Sequence, residues 1–340
     1  MTTIPEVPPA AQSVAAAPSI PLVAGFWRRV GAAFVDLTIF GIFGQILGWS
    51  LCWYWFGLGP YGRFVGLTVL LLYFGVLNSK WGGGRTLGKR CFGTAVRDRL
   101  NNPIGLGRSF LRTLVLILPF ILNGWALPQL QSKPVQFIVA VVVFGLGGAI
   151  VYTMIFNRRA RQGIHDLLCG TYVVRLTGEP TGAFPRTAGF HWAIAGAWCL
   201  LVPLATIALS LVGPLLISQA DLSRAVAVRD TLQADSRFFS ASAFDSRIYP
   251  GPQRVLRISV WRKGPLPPAS EREEILLQIA QTLLETTPGI DDFGAITITV
   301  TSAFDLGISS GHLQFTKGQS LEAWRKQRGA NGGREQQVQT

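Results

Sequence analysis

Acidic side chains are scarce in the first two thirds of this chain: residues 1–217 hold 5 Asp and Glu against 17 Lys and Arg. Charge of either sign is thin overall, at 14% of 340 residues, while 49% are apolar and the mean hydropathy is +0.35. An ordinary soluble domain is excluded for most of the chain. Histidine is rarer still, with 3 in the whole sequence, and no His/Cys cluster has zinc-ligand spacing. Of the 4 cysteines, Cys52 and Cys199 sit in apolar runs, Cys91 and Cys169 lie in charged connections, and none follows Cys199. No disulfide framework is indicated, and Cys169 reads as a small packed residue. Neither a solenoid-type repeat nor an inverted repeat is evident.

What is present in place of charge is a series of uncharged runs: Val30–Phe56 (interrupted only by Asp36), Phe64–Ser79, Thr113–Ser132, Val135–Asn157 and Ala188–Ala220. A helix needs about 20 apolar residues to cross a bilayer. The runs therefore predict an all-α transmembrane helical bundle of about five spans, near 30–56, 60–79, 113–132, 135–157 and 189–217, followed by a small α+β soluble domain. The net charge of +13 belongs almost wholly to the membrane half, since residues 218–340 carry 14 Lys and Arg against 13 Asp and Glu. Nucleic acid is not an expected partner.

Basic residues set the expected orientation. Arg28 and Arg29, the eight Lys and Arg from Lys80 to Arg112, and Arg158, Arg159, Arg161, Arg175 and Arg186 share one side, whereas the other connections hold only Arg63 and Lys133. The positive-inside rule then puts the N-terminus in the cytoplasm and residues 220–329 outside. Residues 1–24 lack a basic start and are broken by prolines, so they read as a disordered cytoplasmic tail and not as a cleavable signal. Residues 25–176 form the first four spans, 177–219 a loop and the fifth, and 330–340 a second disordered tail. Trp27, Trp53, Trp81, Trp125 and Trp192 fall where spans meet the interface.

Beyond the spans the period changes. Residues 220–234 have helical spacing; Leu256, Ile258 and Val260, and then Ile296, Ile298 and Val300, alternate as half-buried strands. Ser270 and Glu273 have the spacing of a capping box ahead of a helix with Leu276, Ile279, Ala280 and Leu283 on one face. A third strand is expected at 306–315 and a short helix at 321–327, with turns at Gly294 and Gly307.

Three motifs carry chemistry. Asp36 follows Arg29 by seven residues on nearly the same helix face. A carboxylate at that depth does not face lipid; it reads either as an ion or proton site or as a carboxylate that pairs with a basic residue such as Arg112 to lock the bundle. Gly83 to Lys89 has the Gly-x4-Gly-Lys spacing of a phosphate loop, but Arg90 stands where a hydroxyl should hold magnesium and a membrane span precedes it. A sharp turn at Gly82–Gly84, with Lys89 and Arg90 meeting anionic headgroups, fits better. In Arg161-Gln162-Gly163-Ile164-His165-Asp166 no nucleophile is tied to the His-Asp pair, so hydrogen bonding and charge pairing are expected, not catalysis.

Together these blocks resemble the RDD family of bacterial membrane proteins. The residues that carry the resemblance are Arg29 and Asp36, then Gly84, Thr86, Gly88, Lys89, Arg90 and Gly93, then Arg161, Gln162, Gly163, His165 and Asp166 with Gly170 and Thr171, over roughly residues 25–176. Leu87 departs from a proline found in many members, and the last span with its outer domain lies beyond the family pattern. The resemblance implies a bacterial cytoplasmic membrane, suspected transport of small ligands or cations, and Arg29, Asp36 and Asp166 as the positions that matter. Two functions stay open: proton-coupled transport using Asp36, or a non-enzymatic scaffold that anchors the outer domain. No cofactor is expected, and the outer domain is a candidate for a protein partner.

Overall fold

The computed structural model describes residues 22–130, 132–177, 184–216, 219–247 and 254–327. The two expected disordered tails lie largely outside these residues. Helix α1 (Phe26–Ser50) ends at Leu51, whose backbone (φ −119°, ψ 26°) leaves the helical region. Residues 52–56, expected at the end of the first span, therefore belong to the next one. There α2 (Cys52–Leu58) and α3 (Arg63–Leu77) continue through the tight turn Gly59–Gly62.

After α4 (Leu87–Cys91) and β1 (Thr94–Arg97) comes α5 (Leu106–Leu122), and its position corrects the expected span at 113–132. Arg108 and Arg112 read as loop charges, yet the helix takes them in because each finds partners: Asp166 for Arg112, the Cys169 and Gly170 carbonyls for Arg108. The uncharged stretch after Leu122 is broken instead by Asn123 and by Gly124 at φ 65°. Helix α6 (Lys133–Ala140) runs through a π-helical segment, Val141–Leu146, into α7 (Gly147–Phe156); α8 (Ile164–Cys169), β2 (Tyr172–Arg175) and α9 (Gly189–Leu216) follow.

Four helical stretches among the described residues are long and apolar enough to cross a membrane: Phe26–Ser50, Cys52–Leu77, Lys133–Phe156 and Gly189–Val212. Helix α5, at 17 residues, is shorter. Its C-terminal end lies beside the start of α3, where Arg63 donates to the carbonyls of Ile121 and Asn123, both at 2.7 Å. Phe34, Ile42 and Ile46 on α1 and Leu200, Leu204 and Leu209 on α9 stand exposed, the apolar exterior a bilayer would cover.

At the motif end of the bundle β1 and β2 pair antiparallel, and Val23 bridges to Val174. The backbone N–H of Ala24 donates to Val173 O at 2.8 Å, so the expected tail stops short of these residues.

At the opposite end sits the C-terminal unit: α10 (Gln219–Ala234), β3 (Phe238–Arg247), β4 (Arg254–Arg262), α11 (Ala269–Thr286), β5 (Ala295–Asp305) and β6 (Ser310–Ser320), with residues 321–327 helical. The sheet order is β3-β4-β5-β6. Only β4 and β5 are parallel, and α11 supplies the crossover that a parallel pair requires. Leu276, Ile279, Ala280 and Leu283 of α11 close over Leu256, Ile258, Ile296, Ile298 and Val300. The expected capping box does not form, because the helix starts from Pro268 with no side-chain cap and Ser270 is already in its first turn. The last strand lies at 310–320 instead of 306–315, because β5 continues to Asp305 and residues 306–309 make the turn. Strand β3, Phe-Phe-Ser-Ala-Ser-Ala-Phe, escaped the sequence reading because its inward positions are Ala241 and Ala243, too small to give an apolar period.

This core predicts that residues 219–327 alone unfold in one cooperative transition, followed by far-ultraviolet dichroism. Leu283→Ala, at a fully buried position, should lower the fragment's stability by about 2–5 kcal/mol. A non-cooperative melt would mean that the unit needs the bundle to fold.

Candidate functional site

The motif blocks meet at one end of the bundle, around two buried carboxylates. Asp36 is 2% exposed on α1. Opposite it, α4 presents a helix N-terminus, where backbone N–H groups lack intrahelical acceptors. Asp36 and two hydroxyls satisfy three of them. Gly88 N donates to Asp36 Oδ1 at 2.8 Å, Leu87 N to Tyr73 Oη at 3.0 Å and Lys89 N to Thr86 Oγ1 at 3.2 Å. Both hydroxyls in turn donate to Asp36, Tyr73 Oη to Oδ1 at 2.7 Å and Thr86 Oγ1 to Oδ2 at 2.6 Å.

Asp36 is thus a cap supplied from another helix. The expected pairing with Arg112 is not made, because the helix N-terminus, with its partial positive charge, already neutralises the carboxylate. Position 88 must be glycine for this approach, since a side chain there would run into the Ala32 carbonyl and the Asp36 carboxylate. The same bonds dispose of the phosphate-loop spacing. The amides that would cradle a phosphate are occupied.

Asp166, fully buried on α8, is held differently. Arg112 Nε donates to its Oδ1 at 2.8 Å, Thr171 Oγ1 donates to the same oxygen at 2.8 Å, and Arg29 Nη1 donates to Oδ2 at 3.4 Å. Burial alone would raise this carboxyl's pKa, but Arg112, His165 and Arg29 outweigh burial and hold it well below the usual carboxylate range. His165 Nε2 lies 3.5 Å from Asp166 Oδ2. Burial pushes its imidazole down to about 3 despite the opposing pull of Asp166, so it is neutral at physiological pH and the contact is not an ion pair.

Lys89 joins the two carboxylates electrostatically. It is half-buried, and its Nζ donates to Asn78 Oδ1 at 2.7 Å. Among the described residues no carboxylate lies within ion-pair distance of it. Burial, reinforced by Arg112 and opposed by Asp36 and Asp166, lowers its pKa from 10.5 to about 7.

The remaining motif residues build the frame. Gln162 Nε2 donates to Thr171 O at 2.7 Å, and Gly163 precedes α8 as its N-cap. Gly84, at φ 75°, accepts from Val96 N at 2.8 Å, tying the turn before α4 to β1. Arg161 is half-buried with φ 51°, and Arg90 is exposed. Tyr73, Asn78 and Arg112 complete the cluster; Arg112 was expected beside Asp36 and pairs with Asp166, whereas Tyr73 and Asn78 escaped the site reading. Tyr73 and Asn78 lie in an apolar run without a motif of their own, although a hydroxyl and an amide there are the kind of group a buried ion requires.

The two carboxylates should therefore respond differently to neutralisation. Asp166→Asn leaves two buried guanidinium groups short of a counter-charge, at a cost of about 3–5 kcal/mol. Asp36→Asn strands no cation and loses charge-assisted hydrogen bonds, at about 1.5–3 kcal/mol. Melting of the detergent-solubilised variants checks the order; equal losses would contradict the separate roles.

The family model described as RDD family matches residues 23–170. The uncharacterized protein YckC of Bacillus subtilis (strain 168) is similar, 29% identical over 154 residues, which is 45% of this chain and 85% of that protein. No solved structure matches. The family match spans Arg29, Asp36, the Gly84–Arg90 block and Asp166, and it ends before α9 and the C-terminal unit. Residues 23–170, which hold nearly all of the charge cluster, are therefore similar to the RDD family.

Proposed function

We propose that this protein exchanges a proton for a small cation or solute across a bacterial cytoplasmic membrane, with Lys89 as the proton-accepting group and Asp36 as the counter-charge. The observation that carries the reading is the ammonium of Lys89, half-buried beside two guanidinium groups and bonded to a neutral amide. A scaffold gains nothing from a buried cation with so poor an acceptor; a proton carrier uses a group whose two protonation states lie close in free energy near neutral pH.

The mechanism follows from where Lys89 sits. It belongs to α4, the helix whose N-terminus Asp36 caps. Protonating Lys89 adds a full positive charge that competes with the α4 amides for the same carboxylate. Losing the proton returns Asp36 to the helix. Release of Asp36 gives a passing cation a counter-charge inside an otherwise apolar bundle, and Asp166, neutralised by two arginines, stays fixed as the pivot. In this reading five helices span the membrane, α5 among them, with the motif end cytoplasmic. Exposed Trp27 and Trp81 and the surrounding arginines then face anionic headgroups.

Vesicles containing the purified protein should dissipate an imposed proton gradient, with a pH dependence centred near 7, and Lys89→Met should abolish both. A readout independent of flux follows from linkage. The folded-state pKa of Lys89 is below its unfolded value, so between about 7 and 10.5 the unfolded chain binds more protons and stability rises with pH. Lys89→Met should flatten that rise. Normal folding with no flux in the wild-type protein would leave the competing reading, a membrane anchor for the C-terminal unit.

A cytoplasm-dependent reporter should work when fused after Asn102 and fail after Gln327. Activity at both positions would overturn the orientation and the odd number of spans.

A further inference from the structure

The buried face of α1 is a single row at four-residue spacing: Ala32, Asp36, Phe40, Gly44 and Gly48. Its two ends are filled by different parts of the chain. Helix α4 covers Ala32 and Asp36. At the other end the β5–β6 turn enters the groove between α1 and α3. A Cβ on Gly44 would lie 3.0 Å from Ser309 Cβ, and one on Gly48 2.6 Å from the Phe304 ring. Across the groove, a Cβ on Gly62 would lie 2.7 Å from Asp305 O, and one on Gly66 would collide with the Leu306 carbonyl. Both walls are therefore glycine where the turn enters, and the turn fills the space their missing side chains leave.

The seat is built from both kinds of contact. Phe304 and Leu306 are 1% exposed, packed with Trp55 and Phe56. Ser309 Oγ donates to Gly44 O at 2.8 Å, and Arg63 Nε donates to Asp305 Oδ2 at 2.6 Å. Between the turn and Asp36 lies one aromatic layer. Phe40 meets Tyr73 edge-on at 4.8 Å, Tyr73 carries its hydroxyl to Asp36, and Ile308 of the turn packs against the cluster that contains Phe40. Gly44 is two helical turns from Asp36, about 12 Å along the axis.

We infer that the β5–β6 turn is a removable plug that closes the α1–α3 groove from the side of the C-terminal unit and so controls access to Asp36. The C-terminal unit is then an autoinhibitory gate carried on the same chain. Its latch is the Arg63–Asp305 pair, which is only partly buried and so open to competition from solvent. Among the described residues the other bond of the Asp305 carboxylate is to its own turn, from Gly307 N at 2.9 Å. The consequence for flux rests on the transport reading; the plug itself does not.

The test uses the full chain with Cys52, Cys91, Cys169 and Cys199 replaced by alanine and Leu70→Cys added. Leu70 is a buried residue one helical turn further in than Gly66. A membrane-impermeant maleimide applied from the side of the C-terminal unit should label this cysteine slowly. Asp305→Ala, which removes a charge-assisted hydrogen bond of the latch, should accelerate labelling by about tenfold. Equal rates in a folded Asp305→Ala protein would overturn the plug. A second measurement does not depend on weakening the seat. In the cysteine-free background, Gly44→Cys with Ser309→Cys places the two Cβ atoms within a few tenths of an ångström of disulfide range. Oxidation should stop proton flux and reduction should restore it. Flux that continues through the cross-linked protein overturns the plug. If no variant conducts, including the wild-type chain, the transport reading fails while the labelling contrast still decides the plug.

Discussion

Two carboxylates buried in an apolar bundle impose the constraint from which the rest of the site follows. Removing such a charge from water costs several kcal/mol unless the surroundings supply compensating hydrogen bonds or opposite charge. The chain meets this demand in two ways. Asp166 receives two guanidinium groups from α1 and α5, which fixes those helices against α8. Asp36 receives the N-terminus of α4, which fixes the connection after α3 against α1. Each carboxylate is therefore a joint between segments far apart in sequence. The short elements α4 and α8, too small to be stable alone, exist because these joints hold them.

The difference between the joints matters more than their likeness. A pair of arginines cannot release a proton in the physiological range, so the Asp166 joint is permanent. A helix terminus offers only partial charge, and Lys89, whose pKa is lowered chiefly by burial, lies on the same helix. That joint can be weakened without breaking the other. The asymmetry is what makes the Asp36 joint the candidate moving part and the Asp166 joint its frame, both at the same end of the bundle.

The sequence exposed the membrane character, the four long apolar helices, the motif residues and the half-buried strands β4 and β5, because apolar period and charge scarcity are local signals. It misplaced α5 because a charged residue usually marks a loop, and only the tertiary partner Asp166 shows that Arg112 belongs inside a helix. It could not show that Asp36 caps α4, since the bonds run across 50 and 52 residues through Thr86 and Gly88. Strand β1 and strand β2 were invisible for a related reason. At four residues each they have no period to detect, and they pair across more than seventy positions.

The meeting of the C-terminal unit with the bundle was likewise illegible, although its ingredients were in view. Gly44 and Gly48 in α1, and Gly62 and Gly66 at the start of α3, repeat at four-residue spacing. Inside a membrane such a spacing ordinarily lets two helices approach each other closely. Here the two rows do not meet; the space between them is taken by a β-turn more than two hundred residues away, its side chains against Gly44 and Gly48 and its backbone against Gly62 and Gly66. A β-turn brings unpaired polar backbone groups, which are costly in an apolar groove, and this one offsets the cost by engaging Gly44 O through Ser309 and Arg63 through Asp305. A helix pair in the same place would need no such polar contacts and would have no reason to come apart. A groove closed at its open end by a turn whose apolar residues are joined by polar contacts at its edge, over a single aromatic layer, is the arrangement that a removable plug requires.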